Sequence, residues 1–507
     1  MRKCFLHFFY AGDAPPKKVK QNSPSKVYLC WVIIVAFISQ IIFRDSVQTQ
    51  LILCLTNNAA GCILALYQLK KNTTALFYSL SSLTMNNAFW LSAMFLAIFV
   101  IAIGQLIAQE SPKDAQKYAR LRAQADKLAH KYIIVDGHVD LPYRLRVKNF
   151  KFVREFIGIP IETRDGDFDY VRAKRGGLTA PFMSIYTPSD YQKKGGAKQY
   201  ADSVIDLVMG IPKAYPDKYA LATSPAEIER NFKRGMISLP LGMENGAPIE
   251  NDLHNVAYFH KRGVRYITLT HGTDNLICDS SYDTTQTWKG LSPFGAEVVR
   301  EMNRVGIMVD VSHVSDSAFY QVLRVSKAPV IASHSSCRFF TPTFLRNMSD
   351  DMIQALAKKG GVIHINFSTY FLDDAKRKAM EQSGEELNAL LKSKGLKGQD
   401  SAAKPIIADF EREHPLLFSD VEEVANHIDH VTKLVGVDYV GFGSDFDGVG
   451  NSLPTGLKDV SQYPNLIFAL LKRGYSEKDI AKICYKNTFR VWREVEKVAK
   501  EMQTKHQ

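Results

Sequence analysis

Short apolar runs rich in β-branched residues recur along the chain from about residue 132, and longer stretches with helical periodicity separate them. This alternation is typical of a parallel sheet whose strands are connected by helices. The eight runs cover residues 133–135, 182–186, 237–241, 266–270, 308–311, 330–332, 362–366 and 439–442. We therefore predict an α/β protein, a closed (β/α)8 barrel of the TIM type over residues 132–497, with an insertion rich in Lys and Glu near 373–404.

The first 110 residues differ because two long apolar runs dominate them. The runs cover residues 27–43 and 88–108, and the second is long enough to cross a hydrocarbon core of about 30 Å. Basic residues before the first run favour a cytoplasmic N-terminus. We predict a membrane-anchor or signal region over residues 1–110 and a helical spacer over 111–131. The protein is then membrane-anchored or exported, with the periplasmic or extracellular side favoured for the barrel.

An alternative start lies within this region. Met85 precedes the second apolar run, and together they resemble a free-standing signal sequence or anchor. On that interpretation the first 84 residues are upstream translation.

Composition narrows the functional classes. With 46% hydrophobic and 23% charged residues, the chain is typical of globular proteins. The net charge of +12 is spread among acidic residues without a basic tract in the barrel, so we expect no nucleic-acid partner. Of seven cysteines, only Cys278, Cys337 and Cys484 lie beyond the N-terminal region, and no CxxC motif exists. These three allow at most one internal disulfide, and no zinc finger is indicated.

Titratable side chains follow the carboxyl ends of the predicted strands. They are His138, Asp140, Glu244, His271, His313, His334 and Asp445. In a barrel these strand ends converge on one mouth. Imidazoles and carboxylates gathered there can hold two divalent ions about 3.5–4 Å apart that share a hydroxide. The sequence therefore predicts a binuclear metal centre.

The first two of these residues are explained by strand geometry. Alternation along an extended segment points His138 and Asp140 to the same side, so both can bind one ion. Glu244 follows an apolar strand, where an unpaired carboxylate is costly unless a metal is its partner. Taken alone, the pair could equally be a hydrogen-bonded strand end, and the glutamate a solvated loop residue.

The later residues repeat one design. His313 and His334 each follow a β-rich run and a serine, which makes coincidence less credible than for one histidine. Asp445 follows the last strand and suits a proton shuttle. Its alternative is an ordinary Asp-rich turn, for which Asp447 is the better candidate.

These residues carry a family resemblance. From about Tyr132 to about Val495 the chain resembles the membrane (renal) dipeptidases, which are binuclear zinc metallopeptidases with metal-dependent-hydrolase barrels. The most specific stretches are residues 263–271 (GVRYITLTH), 292–295 (SPFG) and 444–449 (SDFDGV).

The resemblance implies two Zn²⁺ ions per subunit. His138 and Asp140 are similar to the ligands of one ion, His313 and His334 to those of the other, and Glu244 to the bridging carboxylate. Manganese or iron would also suit such ligands.

The resemblance further implies the residues that handle the substrate. His271 is similar to the histidine that contacts the substrate and stabilises the tetrahedral intermediate. Asp445 resembles the aspartate that transfers the proton, and Arg346 resembles the arginine that binds the substrate's C-terminal carboxylate. Such an arginine favours dipeptides over longer chains.

The chain also departs from the family. Residues 178–182 read LTAPF where the family often has a glycine and a glutamine, and the family's paired cysteines are not evident. With the insertion near 373–404, this predicts a different pocket shape and entrance.

The predicted function is hydrolysis of dipeptides by a hydroxide that bridges two zinc ions. Two alternatives stay open, namely a binuclear hydrolase of another amide or ester such as a lactam or lactone, and an inactive membrane-tethered binding homologue. The expected partners are a dipeptide substrate and a membrane bound through the N-terminal segment. The sequence allows a homodimer without indicating one.

Overall fold

The computed structural model describes residues 112–148, 158–398 and 400–504. Eight parallel strands close into a barrel in the order β1-β2-β5-β6-β7-β8-β9-β10, and β10 pairs with β1. The barrel strands are β1 (Val135–Val139), β2 (Ala180–Tyr186), β5 (Leu241–Glu244), β6 (Val264–Thr268), β7 (Met308–Asp310), β8 (Ile331–Ser335), β9 (Val362–Ile365) and β10 (Val440–Phe442). This is the predicted (β/α)8 barrel of the TIM type.

Helices connect the strands and cover the outside of the barrel. The α-helices are α1 (Pro112–Lys131), α2 (Leu141–Val147), α3 (Gly158–Ile161), α4 (Tyr170–Gly176), α5 (Tyr191–Lys194), α6 (Ala197–Ala214), α7 (Pro225–Lys233), α8 (His254–Lys261), α9 (Pro293–Val305), α10 (Asp316–Val325), α11 (Asp350–Lys358), α12 (Thr369–Leu372), α13 (Asp374–Ser393), α14 (Ala403–Glu413), α15 (Val421–Val435), α16 (Tyr463–Lys472), α17 (Glu477–Ala481) and α18 (Asn487–Thr504). Short 3-10 helices lie at Ala247–Ile249, Arg338–Phe340, Val437–Tyr439 and Val460–Gln462, and a π-helical turn at Lys482–Lys486.

Helix α9 begins in the SPFG stretch, one of the specific stretches of the sequence. Ser292 is its N-cap, and the serine hydroxyl accepts a hydrogen bond from the Gly295 amide at 2.8 Å. Pro293 opens the helix, where a missing amide hydrogen has no cost. Val298, Val299 and Met302 are buried on the face that packs on the barrel. The SPFG stretch is therefore a helix start.

The third predicted strand, residues 237–241, is divided in the structure. Ile237–Leu239 forms β4, which pairs with β3 (Tyr219–Leu221) in a separate two-stranded sheet, whereas the barrel strand β5 begins at Leu241. Pro240 separates the two strands, since proline has no amide hydrogen to continue a ladder. The first strand is also shifted, to 135–139 instead of 133–135.

The segment before β1 and the insertion are both helical. Helix α1 covers nearly all of the predicted spacer, and its Ala125, Leu128 and Ala129 are buried in the main hydrophobic core. The predicted insertion is occupied by α13 and the start of α14, between β9 and β10. Cys278, Cys337 and Cys484 are all buried free thiols.

The predicted membrane segments at 27–43 and 88–108, and the alternative start at Met85, lie outside the described residues. Within residues 112–148, 158–398 and 400–504, none of the helices combines the length and apolarity needed to cross a membrane.

Candidate active site

The seven titratable residues predicted at strand ends meet at the mouth of the barrel. Six of them are buried, and the His271 side chain is 26% exposed. Their positions differ in detail from the prediction, because His138 and His334 lie inside β1 and β8, and Glu244 is the last residue of β5. Only Asp140, His271, His313 and Asp445 lie beyond their strands.

Glu244 lies at the centre of the cluster. Its Oε1 is 3.2 Å from His313 Nε2, 3.4 Å from His334 Nε2 and 3.5 Å from His271 Nε2. Its Oε2 is 3.3 Å from His138 Nε2. One carboxylate therefore contacts imidazoles on both sides of the cluster, as a bridging ligand would.

The other carboxylates lie on the His138 side. His138 Nε2 is 3.3 Å from Asp140 Oδ2. His138, Asp140 and Asp445 each place one potential ligand atom within 4.8 Å of the others. Two further groups with the same spacing are His138–Glu244–His334 and Glu244–His271–His313. Within the described residues, all three groups belong to this one cluster.

The donor atoms fit divalent metal ions. His138 Nε2 is buried, has no hydrogen-bond partner in the described residues, and faces two carboxylate oxygens. The Nε2 atoms of His313 and His334 are 2.8 Å apart, and burial lowers the pKa of both well below the usual value, so both rings are neutral. Neutral imidazole nitrogens with carboxylate oxygens are the ligands that zinc prefers.

A hydrogen-bond relay orients His334. Ser333 Oγ lies 2.7 Å from His334 Nδ1 and 2.6 Å from Asp310 Oδ2. The carboxylate can only accept, so the serine donates to Asp310 and accepts from His334 Nδ1–H. This leaves the lone pair of His334 Nε2 directed into the cluster. Asp310 is itself held by Thr268 Oγ1 at 2.5 Å and by the Ser312 amide at 3.1 Å.

A phenol supports His138 in the same way. Tyr266 Oη is 2.8 Å from His138 Nδ1. The Tyr266 ring occupies space that only a glycine leaves free, because a Cβ added at Gly242 would lie 2.0 Å from Tyr266 Cζ. The strand β5 therefore helps to position His138 of β1.

The two acidic residues Glu244 and Asp445 have pKa values that are shifted in opposite directions. Burial raises the pKa of Glu244, but His138 and His271 outweigh burial and hold that pKa well below its usual range. In contrast, burial raises the pKa of Asp445 to about 8; His138 opposes the shift, and Asp140 and Glu244 add to it. Asn366 Nδ2 donates to Asp445 Oδ2 at 2.8 Å. Glu244 is therefore an anion, whereas Asp445 can hold a proton.

Several residues at the mouth have left-handed backbone angles. His313 has φ 69°, Asp445 has φ 64° and Asp447 has φ 67°. Such angles are costly for residues other than glycine and cluster at functional sites. Asp447 points elsewhere, accepting from Arg144 Nη1 at 3.0 Å and from the Asp167 amide at 2.6 Å, and it ties two loops together.

Arg346 is a buried cation beside the cluster and is only 3% exposed. Its Nη1 donates to Ser335 Oγ at 2.6 Å and its Nη2 to the His334 carbonyl at 2.7 Å, while Nε has no partner within the part of the chain that the structure describes. Among the described residues Arg346 forms no ion pair, and Asp445, Asp310 and Glu244 act on it only through longer-range attraction, although burying an unpaired charge is costly. The arrangement suits an anionic ligand.

Sequence reasoning did not single out Tyr266, Asp310 or Ser333. A carboxylate in the apolar run 308–311 was the available signal for Asp310. Ser333 was noted only as the serine before His334, and Tyr266 only as part of the stretch 263–271. Neither pattern indicates a supporting role, because that role depends on which neighbouring strand the side chain faces.

Comparison with known proteins identifies the family. The family model described as membrane dipeptidase (peptidase family M19) matches residues 122–506. The chain belongs to the membrane dipeptidase family. A curated member, the dipeptidase tcpJ of Claviceps purpurea (strain 20.1), is 33% identical over 375 residues, which cover 72% of this chain and 77% of that protein. The chain is therefore an enzyme, a metallopeptidase of the dipeptidase kind.

Solved structures agree with this membership in the dipeptidase family. The probable dipeptidase PvdM from Pseudomonas aeruginosa has a TM-score of 0.63 at 26% identity, covering 75% of this chain and 100% of that one. A metallo peptidase from Rhodobacter sphaeroides, liganded with a phosphinate mimic of L-Ala-D-Ala, has a TM-score of 0.58 at 25% identity, covering 72% of this chain and 99% of that one.

Proposed function

We propose that this protein hydrolyses the peptide bond of dipeptides with two zinc ions held at the barrel mouth. Family membership and the dipeptide mimic bound by the Rhodobacter relative support a dipeptide substrate. The observation that carries the proposal is the buried guanidinium of Arg346, which lies beside the cluster of titratable residues and has no carboxylate partner among the described residues. A substrate with a free carboxylate next to its scissile bond satisfies both features.

His138 and Asp140 would hold one ion, His313 and His334 the other, and Glu244 would contact both. When bound, two zinc ions supply water of lowered pKa as the nucleophile and positive charge that polarises the peptide carbonyl. The charge state of the ligands suits this role, because Glu244 is an anion and the rings of His313 and His334 are neutral.

Arg346 would bind the C-terminal carboxylate of the substrate. Its guanidinium is desolvated and already held by Ser335 and the His334 carbonyl, so little side-chain entropy is lost when the substrate binds. A charge-assisted bond to a free carboxylate at this distance from the scissile bond excludes chains that continue beyond the second residue. The enzyme therefore acts on dipeptides.

Two residues would act on the reacting groups. His271 is partly exposed at the mouth, and burial lowers its pKa, so the neutral ring can donate a hydrogen bond to the developing oxyanion. Asp445 would accept the proton of the attacking water and deliver it to the leaving amine. The bond that breaks is the single peptide bond, and the products are two amino acids.

The test compares a dipeptide with its C-terminal amide, before and after removal of metal by a chelator and reloading with zinc or manganese. We expect the enzyme to hydrolyse the dipeptide but not its C-terminal amide. This activity should be lost with the chelator and should return when zinc is added. Arg346→Lys, which keeps the charge but loses the planar fork, should raise KM for the dipeptide. Equal hydrolysis of the amide, or a much better lactone or lactam substrate, would overturn the proposal.

We further propose that the apolar segment 88–108 anchors or exports the enzyme. Support comes from the sequence pattern alone. Fractionation with carbonate extraction tests the anchor, and N-terminal sequencing of the native protein tests the start at Met85. Recovery of the full-length chain in the soluble fraction of the cytoplasm would contradict this placement.

A further inference from the structure

Three aromatic side chains form a continuous row beside Arg346. The Phe371 ring centroid is 5.2 Å from Arg346 Cζ, and the Phe344 ring lies 5.2 Å from that of Phe371. The Tyr282 ring lies 6.1 Å from that of Phe344 and 5.9 Å from the imidazole of His313. We call Tyr282, Phe344 and Phe371 the aromatic rim, which extends from the guanidinium to the metal-ligand cluster.

Tyr282 is the accessible end of the aromatic rim. It is 47% exposed, while Phe371 is 7% exposed. The loop that carries Tyr282 is nevertheless held in place: the Tyr282 amide donates to Ser280 Oγ at 3.1 Å, and the Ser281 amide donates to the His313 carbonyl at 2.7 Å. An aromatic face exposed to solvent on an ordered loop is suited to contact a ligand.

The insertion supports the middle of the aromatic rim. Arg377, in the first turn of α13, places its Cζ 5.4 Å from the Phe344 ring centroid. Arg377 is itself paired with Asp374 at 2.7 Å and with Glu381 at 2.8 Å, and it donates to Thr343 Oγ1 at 2.9 Å. The start of the insertion therefore helps to fix one side of the entrance.

We propose that the aromatic rim is the subsite for the side chain of the substrate's C-terminal residue and selects apolar, above all aromatic, side chains there. This rests on the proposed function, in which Arg346 holds the carboxylate of the same residue. A carboxylate and its side chain share one Cα, so anchoring the first at Arg346 brings the second to the neighbouring rings. An apolar side chain gains by covering these rings. A basic side chain would be repelled by the guanidinium.

The experiment measures kcat/KM of the zinc-loaded enzyme for Ala-Gly, Ala-Phe and Ala-Lys. We expect Ala-Phe to be preferred over Ala-Gly, and Ala-Lys to be the poorest. In Tyr282→Ala the preference for Ala-Phe over Ala-Gly should fall by about tenfold, roughly the value of one aromatic contact, mainly through KM. Tyr282→Phe should keep the preference, because it keeps the ring.

Two more variants complete the design. Tyr320→Ala removes an aromatic side chain of similar exposure on α10 and should leave the preference unchanged. Phe344→Leu should lower it in the same direction as Tyr282→Ala, and circular dichroism checks that both variants fold. If Tyr282→Ala and Phe344→Leu hydrolyse both substrates with an unchanged ratio, the subsite assignment is wrong and the proposed function stands. If the zinc-loaded enzyme hydrolyses no dipeptide, both are wrong.

Discussion

The cluster of titratable residues at the barrel mouth has two sides that are constructed differently. On one side His138 and Asp140 are two residues apart at the end of a single strand, and Nδ1 of His138 is hydrogen-bonded to the neutral phenol of Tyr266. On the other side His313 and His334 come from neighbouring strands. There Nδ1 of His334 is hydrogen-bonded to Ser333, which is hydrogen-bonded in turn to the buried carboxylate of Asp310.

The two sides therefore differ in the source of the negative charge that supports their imidazoles. A carboxylate that is hydrogen-bonded to one ring nitrogen of a histidine makes the other nitrogen a more basic metal ligand. A neutral hydroxyl in the same place mainly orients the ring. The His138 side already has the charge of Asp140 in direct contact. Apart from the shared Glu244, the His334 side has two neutral imidazoles, so the relay to Asp310 supplies a negative charge of its own. We therefore expect the two ions to depend on different supporting residues.

The largest effect is expected from Glu244→Gln, which removes the carboxylate that both sides share. Activity should fall by more than about a hundredfold, beyond the usual loss for a supporting residue, and zinc content measured by elemental analysis should fall with it. Glu229→Gln, which alters an exposed pair with Arg493, is the matched control. Full activity with two zinc ions retained in Glu244→Gln would rule out the shared role.

The next effect tests the relay on the His334 side. Asp310→Asn should weaken the binding of one of the two ions by about 10- to 100-fold, because His334 loses its charged support. Competition with a fluorescent chelator measures both affinities. Ser333→Ala should reproduce the loss, while Ser333→Thr keeps the hydroxyl and should largely restore binding. Equal weakening of both ions would contradict the separation of the two sides.

A smaller effect is expected from Tyr266→Phe on the His138 side. The variant removes only a neutral hydroxyl, so metal affinity should fall by no more than about tenfold, the lower end for supporting residues. The ring remains to fill the space above Gly242, and the thermal midpoint serves as the folding control. A loss as large as that of Asp310→Asn would show that both supports are equivalent.

The smallest effect concerns His364 and His427, two buried histidines outside the cluster. They show how burial changes the pKa of a histidine that has no carboxylate relay. Burial lowers the pKa of His364 and of His427 to about 4. Between about pH 6.5 and pH 4 the unfolded state then binds more protons, so stability decreases as the pH falls, by about 1.4 kcal/mol per pH unit for each group. In urea titrations at several pH values, His427→Gln should reduce this slope by one such amount. An unchanged slope would mean that His427 is not held neutral.

Sequence periodicity was sufficient for the barrel and for the set of titratable residues that meet at its mouth. His313 and His334 could be paired because each follows a strand, and consecutive parallel strands end at the same mouth. The division at Pro240 was missed although the proline itself is a signal, because the residues on both sides of it are apolar and were interpreted as one strand. Whether that run joins one sheet or two depends on where β3 lies.

The supporting residues required the register between strands. Asp310 pairs with Ile331 across β7 and β8, and this register brings Ser333 to the carboxylate. No local pattern determines that alignment, because both strands are buried along their whole length. No local pattern predicts the position of Tyr282 either, because its neighbour Phe344 is remote in the sequence.

The (β/α)8 barrel and the chemical types of the residues at its mouth could be predicted from the sequence, since both follow from local periodicity and from the order of strands. Three features became visible only in the folded chain: which histidine nitrogen faces the cluster, the burial of Arg346 without a carboxylate partner among the described residues, and the aromatic rim beside it. These features are distances between residues remote in the chain, and such distances are set by packing and register rather than by any short stretch of residues.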